Sequence, residues 1–359
     1  MNIIDKLNNS TSYSDIELAK ELSLSKDYIQ AEETLKRVLN KELKNGYAWY
    51  LLGNALVALN RCDQAYESFL KALENGYVEV NSLFATALLA KTKGDKPLTV
   101  SALERLCDLD KKNLVSKRLL ISELFEQSNM EKVISESLDL QSQIPDDYYA
   151  YHTEFSALVA QNKYQLSLEK LQKIYDVFCT DRQFQFDYAF VLFLSNKYQQ
   201  AWDYLKASSI NKNSLEYLQL KSKIVTALKL KEEAIAVYKD MYDNYKLSFA
   251  AVNLSALYIT DNEIVKAEKY LSMVLATNKK ELYYYIALYM YAQCQELLNK
   301  SHSEVVIAYE NAISVYESVY KRKPVAHLME LAAECYKALG DTANEIRCRA
   351  VLNKSGEIK

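Results

Sequence analysis

The apolar positions of this chain repeat on a long period. A small or slim residue returns every 34 positions at Ala31, Ala65, Thr99, Val133, Ser167 and Ala201, then every 33 at Ala234 and Ala267. Four positions after each comes a bulky residue: Leu35, Phe69, Leu103, Leu171, Leu205, Tyr238 and Leu271, with Ser137 the exception. Residues four apart share one face of a helix. Each pair therefore marks the buried stripe of a helix, and a fixed period of about 20–50 residues marks a stack of like units. The pattern predicts an all-α array of helix–turn–helix units. Such a stack is a binding surface more often than a reaction vessel.

The clearest copy spans 46–79 and reads Trp49-x2-Leu52-Gly53-x2-Leu56, then Ala65-x3-Phe69-x2-Ala72. It resembles the tetratricopeptide repeat, whose pattern is W-x2-L-G-x2-Y…A-x3-F…P. Leu56 replaces the tyrosine and Tyr77 the closing proline. Gly53 on the first helix and Ala65 on the second are small enough for two backbones to approach. Trp49, Leu52, Leu56 and Phe69 are expected to fill the space around that approach. The resemblance implies a right-handed α-solenoid of about ten stacked repeats.

In that frame 1–11 is a lead-in, 12–281 holds eight repeats, 282–324 is an extended irregular repeat, and 325–359 a capping repeat and tail. Pro145 and Pro324 fall on closing positions, where a residue that cannot continue a helix belongs. Repeats four and five depart from the pattern. Ile121 and Phe155 stand where the small contact residue belongs, and Ser137 where a bulky one does. That reads as an exchange of sizes across the helix interface, with a local change of pitch. The ninth unit carries about eleven extra residues. There 282–299 reads as one long helix bearing Tyr283, Tyr284, Tyr285, Tyr289 and Tyr291. It is either a lengthened packing helix or a surface for a homodimer or partner.

Composition narrows the function classes. Six glycines and three prolines in 359 residues are too few for a strand-rich fold or a phosphate-binding loop. A net charge of −3 without a basic block disfavours nucleic acid as partner. The longest apolar run, 282–292, is 11 residues and too short to span a bilayer, so no membrane role is expected. The first residues lack the pattern of a secretory signal. Cys62, Cys107, Cys179, Cys294, Cys335 and Cys348 lie far apart with no CxxC pair, as thiols in a reducing compartment do. A cytoplasmic location follows as the expectation.

Residues 17–29 superficially resemble the helix-turn-helix of DNA-binding repressors. Some bacterial regulators join such a domain to tetratricopeptide repeats that bind signalling peptides. Here Ala31 and Leu35 already fit the repeat frame, and the would-be recognition helix balances Lys26, Lys36 and Arg37 against Asp27, Glu32 and Glu33.

No set of residues recommends catalysis, a metal or another cofactor. His152, His302 and His327 are widely separated, and the glycines form no nucleotide-binding motif. The expectation is a non-enzymatic protein whose partner is another protein or a peptide. By the resemblance, positions 2, 5, 9 and 12 of each first helix line a concave groove. On this chain those are Tyr47, Tyr50 and Asn54; Asn81, Phe84 and Leu88; Arg118, Ser122 and Phe125; Tyr149, His152 and Ser156; and Phe186, Phe190 and Phe193. Aromatic anchors would hold a peptide while Asn54 and Arg118 fix its backbone or a carboxylate. The Lys/Asn clamp that chaperone-tail receptors use is absent, because only Asn54 matches it. A scaffold, a receptor for a small signalling peptide and an accessory subunit of an enzyme complex all remain open.

Overall fold

The computed structural model describes residues 12–277, 281–323 and 325–356. The lead-in 1–11 and the closing position of Pro324 lie outside the described residues. The chain divides into two compact units, Met1–Phe184 and Gln185–Lys359. Among the described residues there is no strand.

The first unit holds five hairpins. These pair α1 (Ser12–Leu24) with α2 (Tyr28–Lys41), α3 (Gly46–Ala58) with α4 (Cys62–Glu74), and α5 (Val80–Lys93) with α6 (Lys96–Leu109). Then come α7 (Leu114–Glu126) with α8 (Met130–Gln143), and α9 (Tyr148–Ala160) with α10 (Tyr164–Lys173) and the one-turn α11 (Tyr175–Phe178). The division falls inside α12 (Arg182–Leu194). The second unit continues with α13 (Tyr198–Ala207), α14 (Leu215–Ala227), α15 (Lys231–Tyr245), α16 (Ser248–Thr260) and α17 (Ile264–Ala276). It ends with α18 (Leu282–Leu297), α19 (His302–Arg322), α20 (Ala326–Ala338) and α21 (Thr342–Gly356).

One backbone device makes every hairpin. Lys26, Asn60, Gly94, Ser128, Asn162, Asn196, Lys229, Asn262, Asn299 and Gly340 are left-handed, with φ between 53° and 74°. The next residue's N–H then donates to the carbonyl five positions back, as from Arg61 to Leu56 (2.9 Å) and Lys197 to Leu192 (3.0 Å). That bond satisfies a carbonyl the helix end would leave bare and reverses the chain. The same residue often opens the second helix. Asp27, Asp95 and Asn129 each accept an N–H of the following turn on their side chains. Two adjacent residues thus end one helix and start the next.

Packing follows the period. All eight small residues are buried, and so are their bulky partners apart from Tyr238, which is half-buried. A Cβ on Gly53 would lie 2.7 Å from Cε1 of Phe69, so only glycine leaves room for that ring. In the fourth hairpin the same two positions are Ile121 and Ser137, both fully buried, with the Ser137 hydroxyl 2.8 Å from that of Thr153. Large and small have changed places. The fifth hairpin keeps two large residues, Phe155 and Leu171, and its second helix breaks at Ile174. Trp49 packs at the edge of the cluster that holds Leu52, Leu56, Ala65 and Phe69. It is half-buried, its indole N–H donates to the Leu43 carbonyl (2.8 Å), and Lys71 lies over its ring.

The first hairpin carries the same left-handed turn, at Lys26. Its second helix buries Ala31, Glu32, Thr34, Leu35, Val38 and Leu39, and buried Asp15 faces Arg37 and Lys41 across the pair. The buried face of α2 is thus a hairpin contact of the kind the later repeats make.

In the ninth hairpin α18 ends at Leu297, short of the 299 expected, and the larger extension lies in α19. These helices have 16 and 21 residues against 13 each in α16 and α17, roughly one and two added turns. Whole turns leave the buried face in register. Tyr285 is buried, and Tyr283, Tyr284, Tyr289 and Tyr291 are half-buried against the helices on either side. Of the two readings of this helix, packing within the chain accounts for most of its tyrosine face.

Candidate functional site

On a first helix, unit positions 5, 9 and 12 are four and three residues apart and so share one face. On α3 they are Tyr50, Asn54 and Val57; on α5 Phe84, Leu88 and Lys91; on α7 Arg118, Ser122 and Phe125. Tyr47, Tyr50 and Phe84 are half-buried, whereas Asn54, Asn81, Leu88, Arg118, Ser122 and Phe125 are exposed. Val57, missed in the sequence, is 45% exposed beside Leu88 at 43% and Phe125 at 36%. Its signal was present: it stands on α3 where Phe125 stands on α7. On α9, Tyr149, His152 and Ser156 are half-buried.

One end of the row is aromatic. Tyr77 sits 5.2 Å from Tyr47 and 5.1 Å from Tyr50, and Tyr50 lies 6.0 Å from Phe69. Tyr77 occupies the place of the family's closing proline, and Gly46 admits it: a Cβ there would be 2.8 Å from that of Tyr77. Burial pushes the Tyr77 hydroxyl up to about 12, so it stays a neutral donor.

The charges of the row are already engaged. Arg118 forms an ion pair with Asp147 and lays its guanidinium 4.8 Å over the ring of Tyr149. It fastens α7 to α9, so the guanidinium expected to grip a ligand carboxylate already holds a carboxylate of the chain. Burial raises the Tyr149 hydroxyl, with Arg118 opposing. Lys91 reaches Glu123 at 3.0 Å and Glu126 at 3.3 Å. Burial alone would raise the Glu123 carboxyl, but hydrogen bonds from Lys91 and Gln127 outweigh it and hold it low. What faces outward is neutral: the amides of Asn54 and Asn81, the hydroxyl of Ser122, and the apolar Val57, Leu88 and Phe125.

Phe186 and Phe190 belong to the second unit, where their half-buried rings stack with centroids 6.2 Å apart. Phe193 packs on Tyr198 of its own hairpin at 5.5 Å. The second unit also contains a cleft of about 940 Å³ against the added turns of α19, with Glu296, His302, Ile313, Glu317 and Tyr336 among its walls. No helix among the described residues is long and apolar enough to cross a membrane. No group of three or more His, Cys, Asp or Glu among them could hold a metal.

Residues 18–79, which include the Gly53–Phe69 contact and the aromatic end of the row, match the family model described as tetratricopeptide repeat. This chain carries tetratricopeptide repeats. No curated protein matches it. Similar solved structures include Naa15/Naa10 bound to HypK-THB, at 11% identity over 98% of this chain and 64% of that one, TM-score 0.48. This chain therefore spans less than two thirds of that one. Another is YrrB, described as a tetratricopeptide-repeat protein with an unusual peptide-binding site, at 17% identity over 51% of this chain and 96% of that one, TM-score 0.42. The repeat domain of P58(IPK) aligns at 15% identity over 96% and 93%, TM-score 0.30. All three are distant, and the site rests on this chain's own residues.

Proposed function

We propose that this chain is an interaction scaffold that holds a peptide segment of a partner protein along the first-helix row of its first unit. One observation carries the reading. Val57, Leu88 and Phe125 stand in water on the same face of three successive first helices, interleaved with Asn54 and Ser122. Matched apolar side chains beside unengaged amides fit a segment held by apolar anchors and backbone hydrogen bonds. The stacked helices are already ordered, so little ordering cost opposes binding. The repeats support a protein partner, and the chain acts by binding rather than catalysis. Six free thiols, Cys62 among them exposed, support a reducing, cytoplasmic setting.

The test is selection of random displayed peptides on the purified full-length chain, with binders measured again on Leu88→Asp/Phe125→Asp. The side chains are 43% and 36% exposed, so the variant should fold with a lowered melting temperature, and binding is compared below it. Binding should weaken at least tenfold, about 1.4 kcal/mol. Undiminished binding to the double variant would place the surface elsewhere.

A further inference from the structure

We infer that the cleft at the start of α9 seats a basic side chain, arginine or lysine, of the segment bound along the row. The inference rests on the groove reading and names the chemistry of one of its subsites. The cleft has a volume of about 590 Å³ and lies within the first unit. Its aromatic wall is made by Tyr148 and Phe178, both buried with ring centroids 5.3 Å apart, and by His152, 6.3 Å from Tyr148. Asp146, Asp147 and Asp181 stand around it, and neither lysine nor arginine is among its lining residues. His152 holds unit position 5 on α9, as Tyr50, Phe84 and Arg118 do on the first helices before it. The cleft is therefore the continuation of the row.

At the edge of the cleft the chain already holds one guanidinium. Arg118 pairs with Asp147 and stacks over Tyr149, a residue of the same cleft. One guanidinium thus already uses an aromatic face and a carboxylate here. Among the described residues no ion pair engages Asp146 or Asp181. Asp181 gives one oxygen to the Phe184 N–H at 2.9 Å, leaving the other to a ligand. A cation within about 6 Å of a ring face is attracted by the ring, and carboxylates nearby strengthen that attraction where aromatic walls thin the water. An anion would meet Asp146 and Asp181, while Asp147 is already paired with Arg118. The α9 N-terminus would not compensate, because Asp147 already accepts the Tyr149 N–H at 3.0 Å.

The test uses the displayed-peptide binders, the intact chain and its Asp146→Asn/Asp181→Asn variant. Both aspartates are exposed, and asparagine caps a helix as well as aspartate, so the variant should fold. Binders should share arginine or lysine at one position. Replacing it with citrulline or norleucine should weaken binding about tenfold to the natural chain and less than about twofold to the variant. Binders with no fixed basic residue, or equal losses on both proteins, would overturn the cleft inference. The groove reading would then still stand if Leu88→Asp/Phe125→Asp abolishes binding. Failure of the natural chain to retain any peptide would overturn both.

Discussion

In the second repeat, two helices of 13 residues meet where Gly53 leaves room for Phe69. In the ninth, helices of 16 and 21 residues meet through Tyr285, Tyr309 and Tyr316. Both keep buried small residues at the helix contact: Gly53 and Ala65 in one, Ala292 and Ala312 in the other. The difference lies in what fills the remaining space. Phe69 is specified by shape alone. The ninth repeat buries hydroxyls, and each needs an acceptor: Tyr316 donates to the Tyr285 carbonyl at 2.6 Å and Tyr309 to Glu296 at 2.8 Å. Burial holds both tyrosines far above their ordinary pKa, so they remain donors. The comparison teaches that a repeat can be pinned by volume or by polar tips, provided that its small positions persist.

The largest expected effect breaks the shape-based contact. Phe69→Ala should cost about 3–5 kcal/mol, and Gly53→Ala about 1–3 kcal/mol because its Cβ overlaps the Phe69 ring. Trp49 fluorescence in a Trp202→Phe background follows urea unfolding close to that repeat. Natural stability in Gly53→Ala would show that the ring yields and that shape is not the constraint. Next comes Tyr316→Phe, which removes only the hydroxyl. A loss of about 1–3 kcal/mol, read as faster hydrogen exchange in α19, is expected. Unchanged exchange would reduce the ninth repeat to the apolar logic of the second.

The smallest effect concerns the left-handed turn that the two repeats share with the other hairpins, the seventh included. Lys229→Gly relieves a left-handed lysine and should stabilise by up to about 1 kcal/mol, part of it offset by the freer unfolded chain. Asn299→Gly should change stability far less, since asparagine tolerates that conformation. Equal shifts in the two urea midpoints would mean that the turn's backbone is not what distinguishes these residues.

Much of the fold was legible because repeat packing is nearly one-dimensional. Each hairpin meets its neighbours at the same positions, so a 34-residue recurrence of small residues maps directly onto buried contacts. The turns were half legible. Asn60, Gly94, Asn162, Asn196 and Asn262 repeat at the period, but Lys26, Ser128 and Lys229 interrupt the series with residues that do not favour φ > 0. The extra residues of the ninth unit were visible as a count, whereas their division between α18 and α19 was not. Periodicity registers how many residues are added, and only packing shows which helix absorbs them.

The sequence by itself determined the all-α class, the repeat and the helix face that carries the candidate row, because these depend on spacing within one helix or one hairpin. Tertiary structure alone decided which of those side chains are available. Tyr77 closes over Tyr47 and Tyr50 from some 30 residues away, and Asp147 engages Arg118 from 29. Whether a charged or aromatic side chain is free depends on what the next hairpin places beside it, and helical spacing carries no information about that neighbour.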